Sequence, residues 1–185
     1  MKKVFYFLMM AAVVSFVITS CNDDDEPEVK KATIGAQANA SDGGFYSVSE
    51  NKVYTMDAAS QNPGVIDILC FYEEANGNNI AIASPGTNIS GIFTGANAPE
   101  NWTTKNTTYF SATALTVAQF DALAETDQLI INAYDTANDF RKAKDMKVDD
   151  IYAFKTQSEV YGLFKVTEVV QGADGEVTFE VKVKK

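Results

Sequence analysis

The chain has 185 residues, with 25 Asp and Glu against 15 Lys and Arg, a formal charge of −10 and no histidine. Without clustered cations it lacks the means to displace counterions from phosphates, which disfavours nucleic acid and anionic-lipid binding through a basic patch. Without imidazole, Ser-His-Asp and Cys-His nucleophilic systems and the usual histidine metal sites are excluded.

The first residues, Met1-Lys2-Lys3, are followed by an apolar run from Val4 to Ile18 broken only by Ser15. A short basic region before an apolar segment of this length is the pattern of a secretory signal peptide. A membrane span would need about 20 apolar residues, which this run does not reach. Ile18-Thr19-Ser20-Cys21 resembles the bacterial lipobox, in which an aliphatic residue and two small residues precede an acylated cysteine. That resemblance implies a signal peptide over 1–20 and a lipidated Cys21, with the membrane as partner through the anchor. Each buried methylene contributes about 0.8 kcal/mol, so two or three acyl chains hold firmly where one does not. Asp23-Asp24-Asp25-Glu26 then resembles the acidic run of Bacteroidetes lipoproteins carried to the outer face of the outer membrane. Read from the residues alone, it is a solvated spacer kept extended by like charges, and 21–31 form a tether.

From residue 32 to 185 the chain reads as one β-rich domain. Ala32 to Ala38 and Gly44 to Ser49 are strand-like and flank Asp42-Gly43-Gly44, a hairpin signal. Val53 to Met56 is another short strand candidate, and Val65 to Tyr72 pairs with Ile80 to Ala83 across Asn76-Gly77. Cys70 lies inside this run; with Cys21 acylated it has no intramolecular disulfide partner and reads as a small buried hydrophobe. The segment from Ser84 to Lys105 is long, rich in Gly, Asn, Pro and Thr, and of the kind in which function tends to sit. Thr116-Val117-Ala118-Gln119 matches a capping box, followed by Phe120, Leu123 and Ala124 on one helical face. Leu129, Ile130, Ala133, Tyr134 and Ala137 permit a second short helix, though Leu129 to Ile131 could equally be strand. Val148 to Thr156, Val160 to Val170 and Val177 to Val183 form an antiparallel meander with a turn at Asp174-Gly175. The last strand alternates Val177, Phe179, Val181 and Val183 with polar neighbours, the pattern of a half-buried strand.

Val65-Ile66-Asp67, Ala83-Ser84-Pro85, the stretch Val148 to Thr156 and Tyr161 to Val166 together resemble uncharacterised Bacteroidetes surface lipoproteins built on a β-rich domain. The resemblance covers most of the chain after Cys21, rests on structural motifs, and implies fold and location without an activity. Asp149 departs from it, standing where a turn glycine is expected.

Ser49-Glu50-Asn51-Lys52 satisfies Ser-x-x-Lys but lacks the partner elements of penicillin-interacting enzymes and sits at a turn. Glu73 with Glu74, and Asp149 with Asp150, are the carboxylate pairs through which a glycoside hydrolase could work without histidine. Adjacent strand residues point to opposite faces, so neither pair flanks one bond. Asp135 and Asp139 could share a helical face one turn apart, yet acids so spaced are commonly surface. Trp102, beside Asn101 and two threonines, has the ingredients of a sugar platform that Phe93 and Tyr109 could extend; packed under its loop, the same ring would be a satellite core.

The fold expected is mainly β, an antiparallel β-sandwich or partly closed barrel with one or two short helices in a connecting segment. The function expected is that of a non-enzymatic, surface-anchored binding or accessory lipoprotein of the outer membrane, with carbohydrate as the specific ligand, no cofactor and no metal. A structural or assembly component of an outer-membrane complex is the leading alternative, and a carboxylate-based glycoside hydrolase the remaining one.

Overall fold

The computed structural model describes residues 29–74, 77 and 79–185. The expected signal peptide, Cys21, the acidic run and Asn76 lie outside these residues. Among the described residues, no helix is long and apolar enough to cross a membrane.

The strands in chain order are β1 (Lys30–Gly35), β2 (Phe45–Ser47), β3 (Lys52–Tyr54), β4 (Ile68–Glu73), β5 (Asn79–Ala83), β6 (Tyr109–Ala112), β7 (Lys142–Ala143), β8 (Ile151–Lys155), β9 (Tyr161–Val170) and β10 (Glu176–Val183). The helices are α1 (Met56–Gln61), α2 (Val117–Ala122) and α3 (Leu129–Asn132). The strands form two five-stranded sheets, β1-β10-β9-β8-β6 and β3-β2-β4-β5-β7, and every pairing is antiparallel. Neither sheet closes on itself, so of the two architectures expected the β-sandwich is the one formed.

Alternation along the strands explains why the sheets stack. Ile68 and Cys70 of β4, Ile80 and Ile82 of β5, Phe164 and Val166 of β9, and Val177, Phe179 and Val181 of β10 meet in one core between the sheets. Leu69, Phe71, Ala81 and Ala83 point the other way into a second cluster with Phe45, Ala59, Phe93 and Trp102. A third cluster sets Ile151, Ala153 and Leu163 under Phe120 of α2 and Ile130 of α3. Both sheets are therefore covered on both faces over their central strands, which is why β4 and β5 read as continuous apolar runs.

The meander β8-β9-β10 forms as expected, with a bulge where the register shifts between Thr178 and Phe179. The capping box is present: the Thr116 hydroxyl accepts from Gln119 N, and the Gln119 side chain accepts from Thr116 N. Other expectations are corrected. Ala32 to Ala38 and Gly44 to Ser49 do not form a hairpin, because β1 pairs with β10 while β2 pairs with β3 and β4 of the opposite sheet. The glycines between them serve close packing: a Cβ on Gly43 would lie 2.2 Å from the Tyr54 carbonyl oxygen. Met56 belongs to α1, capped by the Thr55 hydroxyl, and the short strands β6 and β7 join the expected set. Asp135 and Asp139 lie beyond α3 in irregular backbone and not on a helix. Asp149 adopts φ 75°, the left-handed conformation that a glycine would take without strain.

Candidate functional site

The segment from Ser84 to Lys105 leaves the end of β5 and returns to it through a knot of hydrogen bonds around Ser84. The buried Ser84 hydroxyl donates to the Asn106 carbonyl at 2.6 Å and accepts from Thr108 N at 2.9 Å and Gly86 N at 3.2 Å. The buried Asn106 amide in turn donates to the carbonyls of Gly64 at 2.8 Å and Ile66 at 3.1 Å. Buried polar groups are costly unless paired, and pairing here fastens both ends of the loop to the rigid sheet.

Between the arms of this loop lies a cleft of about 230 Å³. One wall is the stretch 85–89, the other is Pro99, Glu100 and Lys105, and Arg141 stands at its edge. Arg141 precedes β7, and its carbonyl accepts from Ser84 N at 3.0 Å and from the Thr87 hydroxyl at 2.9 Å. Its guanidinium donates to the Gly86 carbonyl at 3.1 Å. The Lys105 ammonium donates to the Glu100 carbonyl at 2.7 Å. Glu100 accepts from Gly91 N at 3.4 Å. The cleft therefore combines two cations, one carboxylate and the apolar rings of Pro85 and Pro99.

The aromatic residues singled out in the sequence divide. Trp102 and Phe93 come together, but beneath the loop: Trp102 is 7% exposed, its ring centroid lies 5.3 Å from that of Phe45, and its indole N–H donates to the Asn97 carbonyl at 2.9 Å. Phe93 packs against the same Phe45 ring at 5.5 Å. The exposed Asn101 donates its side-chain amide to the carbonyls of Gly95 and Ala96. Tyr109 lies on β6 of the other sheet, partly exposed and outside the Trp102 cluster. The cleft is lined by the Ser84 to Lys105 segment that composition singled out, but Arg141, which joins it, carries no local signal and is distinctive only as the single arginine of the chain.

The carboxylate pairs are engaged separately. Glu73 is ion-paired with Lys142 at 2.8 Å and Lys144 at 3.6 Å, on the side of a second, shallower hollow of about 450 Å³ bounded by Gln37, Tyr72 and the stretch 90–92. Gln37, in the lining of that hollow, exchanges two hydrogen bonds with the Tyr72 backbone. Asp150 accepts from Lys147 N, Asp135 from Ala137 N and the Asn138 amide, and Asp139 from the Tyr134 hydroxyl. Asp67, buried ahead of β4, accepts from Val48 N at 2.9 Å, and burial raises its carboxyl to about 6. Cys70 is fully buried between the sheets, and burial pushes its thiol far up. Among the described residues, no group of three or more Cys, Asp or Glu is placed to hold a metal ion.

No family model matches the chain, and no curated protein matches it. Among solved structures, it is similar to a DUF4466 family protein from Parabacteroides merdae ATCC 43184, at 17% identity and a TM-score of 0.58. The similarity covers 84% of this chain and 52% of that one, so the chain spans about half the length of its structural neighbour. At this identity the likeness is one of fold: a mainly β architecture shared with a Bacteroidetes protein of a family without an assigned function.

Proposed function

We propose that this chain is a non-enzymatic binding or accessory lipoprotein, held in the outer membrane by lipid on Cys21 and exposed at the cell surface, with a carbohydrate as its ligand. The observation that carries the binding half is the cleft between 85–89, Pro99, Glu100, Lys105 and Arg141, an open polar concavity on a loop whose ends are fastened by Ser84 and Asn106. Ligand sites favour such concave positions, with few convergent polar groups on a rigid scaffold. Apolar proline faces beside Thr87, Asn88 and charged donors suit a sugar, which presents C–H faces and hydroxyls together. The separate engagement of Glu73, Asp150, Asp135 and Asp139 supports the non-enzymatic reading, because two glycosidic carboxylates must face one bond about 5 to 9.5 Å apart. The anchoring half rests on Ile18-Thr19-Ser20-Cys21 behind its apolar segment.

The test has two parts. The full chain is expressed in a Bacteroidetes host with an alkyne-palmitate label, beside Cys21→Ala. Label on the parent alone, with the protein removed from whole cells by external protease, is the expected result; an unlabelled parent ends the lipoprotein reading. The purified lipoprotein is then applied to a glycan array, where binding to no glycan ends the carbohydrate reading.

A further inference from the structure

We infer that the cleft selects an acidic sugar, with the carboxylate of a uronic or sialic acid residue seated against Arg141 and Lys105. The inference rests on the carbohydrate reading and narrows it to a substrate class.

Six lysines among the described residues are neutralised by carboxylates. Glu125 pairs with both Lys30 and Lys185, Glu73 with Lys142 and Lys144, Glu159 with Lys155, and Asp121 and Glu180 with Lys165. In these pairs the positive charge is neutralised by a carboxylate. The two cations of the cleft belong instead with Lys182 and Lys184, which also donate to backbone carbonyls, and they line a concavity. Among the described residues neither has a carboxylate within ion-pair distance; each donates instead to a backbone carbonyl, Arg141 to Gly86 and Lys105 to Glu100. A carbonyl orients a cationic head without cancelling its charge. A guanidinium has five N–H donors in a planar fork, so one hydrogen bond to Gly86 leaves donors for a carboxylate. Two such cations at one cleft form a local positive site on a protein whose net charge is −10.

Glu100 sets the stoichiometry of charge. With one carboxylate among two cations the cleft carries a formal +1, which the single carboxylate of a sugar acid neutralises. Its oxygens can accept from sugar hydroxyls, while Pro85, Ile89 and Pro99 offer the apolar surface on which a pyranose C–H face rests. The volume of about 230 Å³ is below the roughly 300 to 1,000 Å³ of drug-sized sites, so one sugar residue at a chain end fits better than an internal stretch of polymer.

The experiment is titration of the full-length lipoprotein by saturation-transfer NMR and calorimetry. The probes are methyl glycosides of glucuronate, galacturonate and N-acetylneuraminate, the neutral methyl glucoside and galactoside, acetate, and the dipeptide Gly-Gly. One of the acidic glycosides is expected to bind at least about tenfold more tightly than its neutral counterpart, which is the size of one charge-assisted hydrogen bond. Arg141→Gln, with its circular dichroism unchanged, loses at least that factor; Lys105→Gln loses a smaller one; the remote Lys147→Gln loses none. Neutral glycosides binding as well as acidic ones would overturn the acidic selection while leaving the carbohydrate reading standing. Acetate or Gly-Gly binding as tightly as every sugar acid would overturn both, as would binding of no probe at all. Undiminished affinity in both Arg141→Gln and Lys105→Gln would remove the site from this cleft.

Discussion

The two outward faces of the sandwich are covered in opposite ways. Over β4 and β5 the cover is mostly apolar: Ala59 of α1 and the loop residues Phe93 and Trp102 cluster with Phe45 and Phe71, the indole N–H is satisfied within the loop, and Lys142 adds one charge 5.7 Å from the Phe71 ring centroid. Over β9 and β10 the cover is part ionic. Lys165 and Lys182 rise from the sheet, each ammonium about 5.1 Å from the Phe120 ring centroid, and bind α2 from below. Lys165 pairs with Asp121 and Glu180, and Lys182 donates to the carbonyls of Asp121 in α2 and of Leu123, which caps it. A short helix with six residues has little intrinsic stability, so its retention depends on such contacts. The contrast shows that one sheet can be covered chiefly by apolar burial and its neighbour more by charge placed over an aromatic ring, with different sensitivities to solution conditions.

The largest effect that would break this comparison is expected on the apolar side. Trp102→Ala removes a buried indole and leaves the Asn97 carbonyl unpaired, and should cost about 3 to 5 kcal/mol in chemical denaturation. A loss below about 1 kcal/mol would show that the loop collapses onto Phe45 without the indole.

Asp67 sharpens the comparison through pH. Burial raises its folded-state carboxyl to about 6, above its ordinary value near 4. The folded state therefore holds the proton more tightly than the unfolded one, and stability falls as pH rises from about 4 to 6, then levels. Asp67→Asn keeps an acceptor for Val48 N and removes the charge, so at neutral pH it should stabilise by about 1 to 3 kcal/mol. The difference between variant and parent should vanish near pH 4; a constant difference across that window would remove Asp67 as its source.

On the ionic side, Lys165→Met should cost about 1 kcal/mol at low salt and less in 1 M salt, because both partner carboxylates are themselves part-exposed. Amide exchange in α2 should quicken more than in α1; equal change in both would show that the ionic cover is not local. The smallest effect is at Asp149, whose left-handed backbone suits glycine, so Asp149→Gly should stabilise by about 0.5 kcal/mol in the same assay.

The sequence made the charged side easier to read than the apolar one. Alternation in β10, with Val177, Phe179 and Val181 against Thr178, Glu180 and Lys182, states directly that one face is polar. The apolar runs in β4 and β5 announce strands but not which of their faces meets the partner sheet, because both are buried. The hairpin expected at Asp42-Gly43-Gly44 failed for a related reason: glycine marks a backbone that comes close to something, and only the fold reveals that it is Tyr54 and not a paired strand. α1 is short and half polar, its start marked by Thr55 and Asp57 but with Ala58 where a capping box would need Glu or Gln. The loop over 84–105 was legible as a place of interest from its composition, but its open surface was not. Trp102 is drawn inward by Phe45, whereas Arg141 arrives from far along the chain to meet Gly86.

The placement of Cys70 gives the molecule a built-in clock. Its sulfur lies fully enclosed between the sheets, with the thiolate strongly disfavoured, so an alkylating reagent meets it only when the layers separate. With reclosing faster than reaction, the modification rate is the unfolded-thiol rate scaled by the fraction of time the sandwich stands open. A single atom in the middle of β4 thus reports the cohesion of the whole two-sheet stack, without a label or substitution in the core.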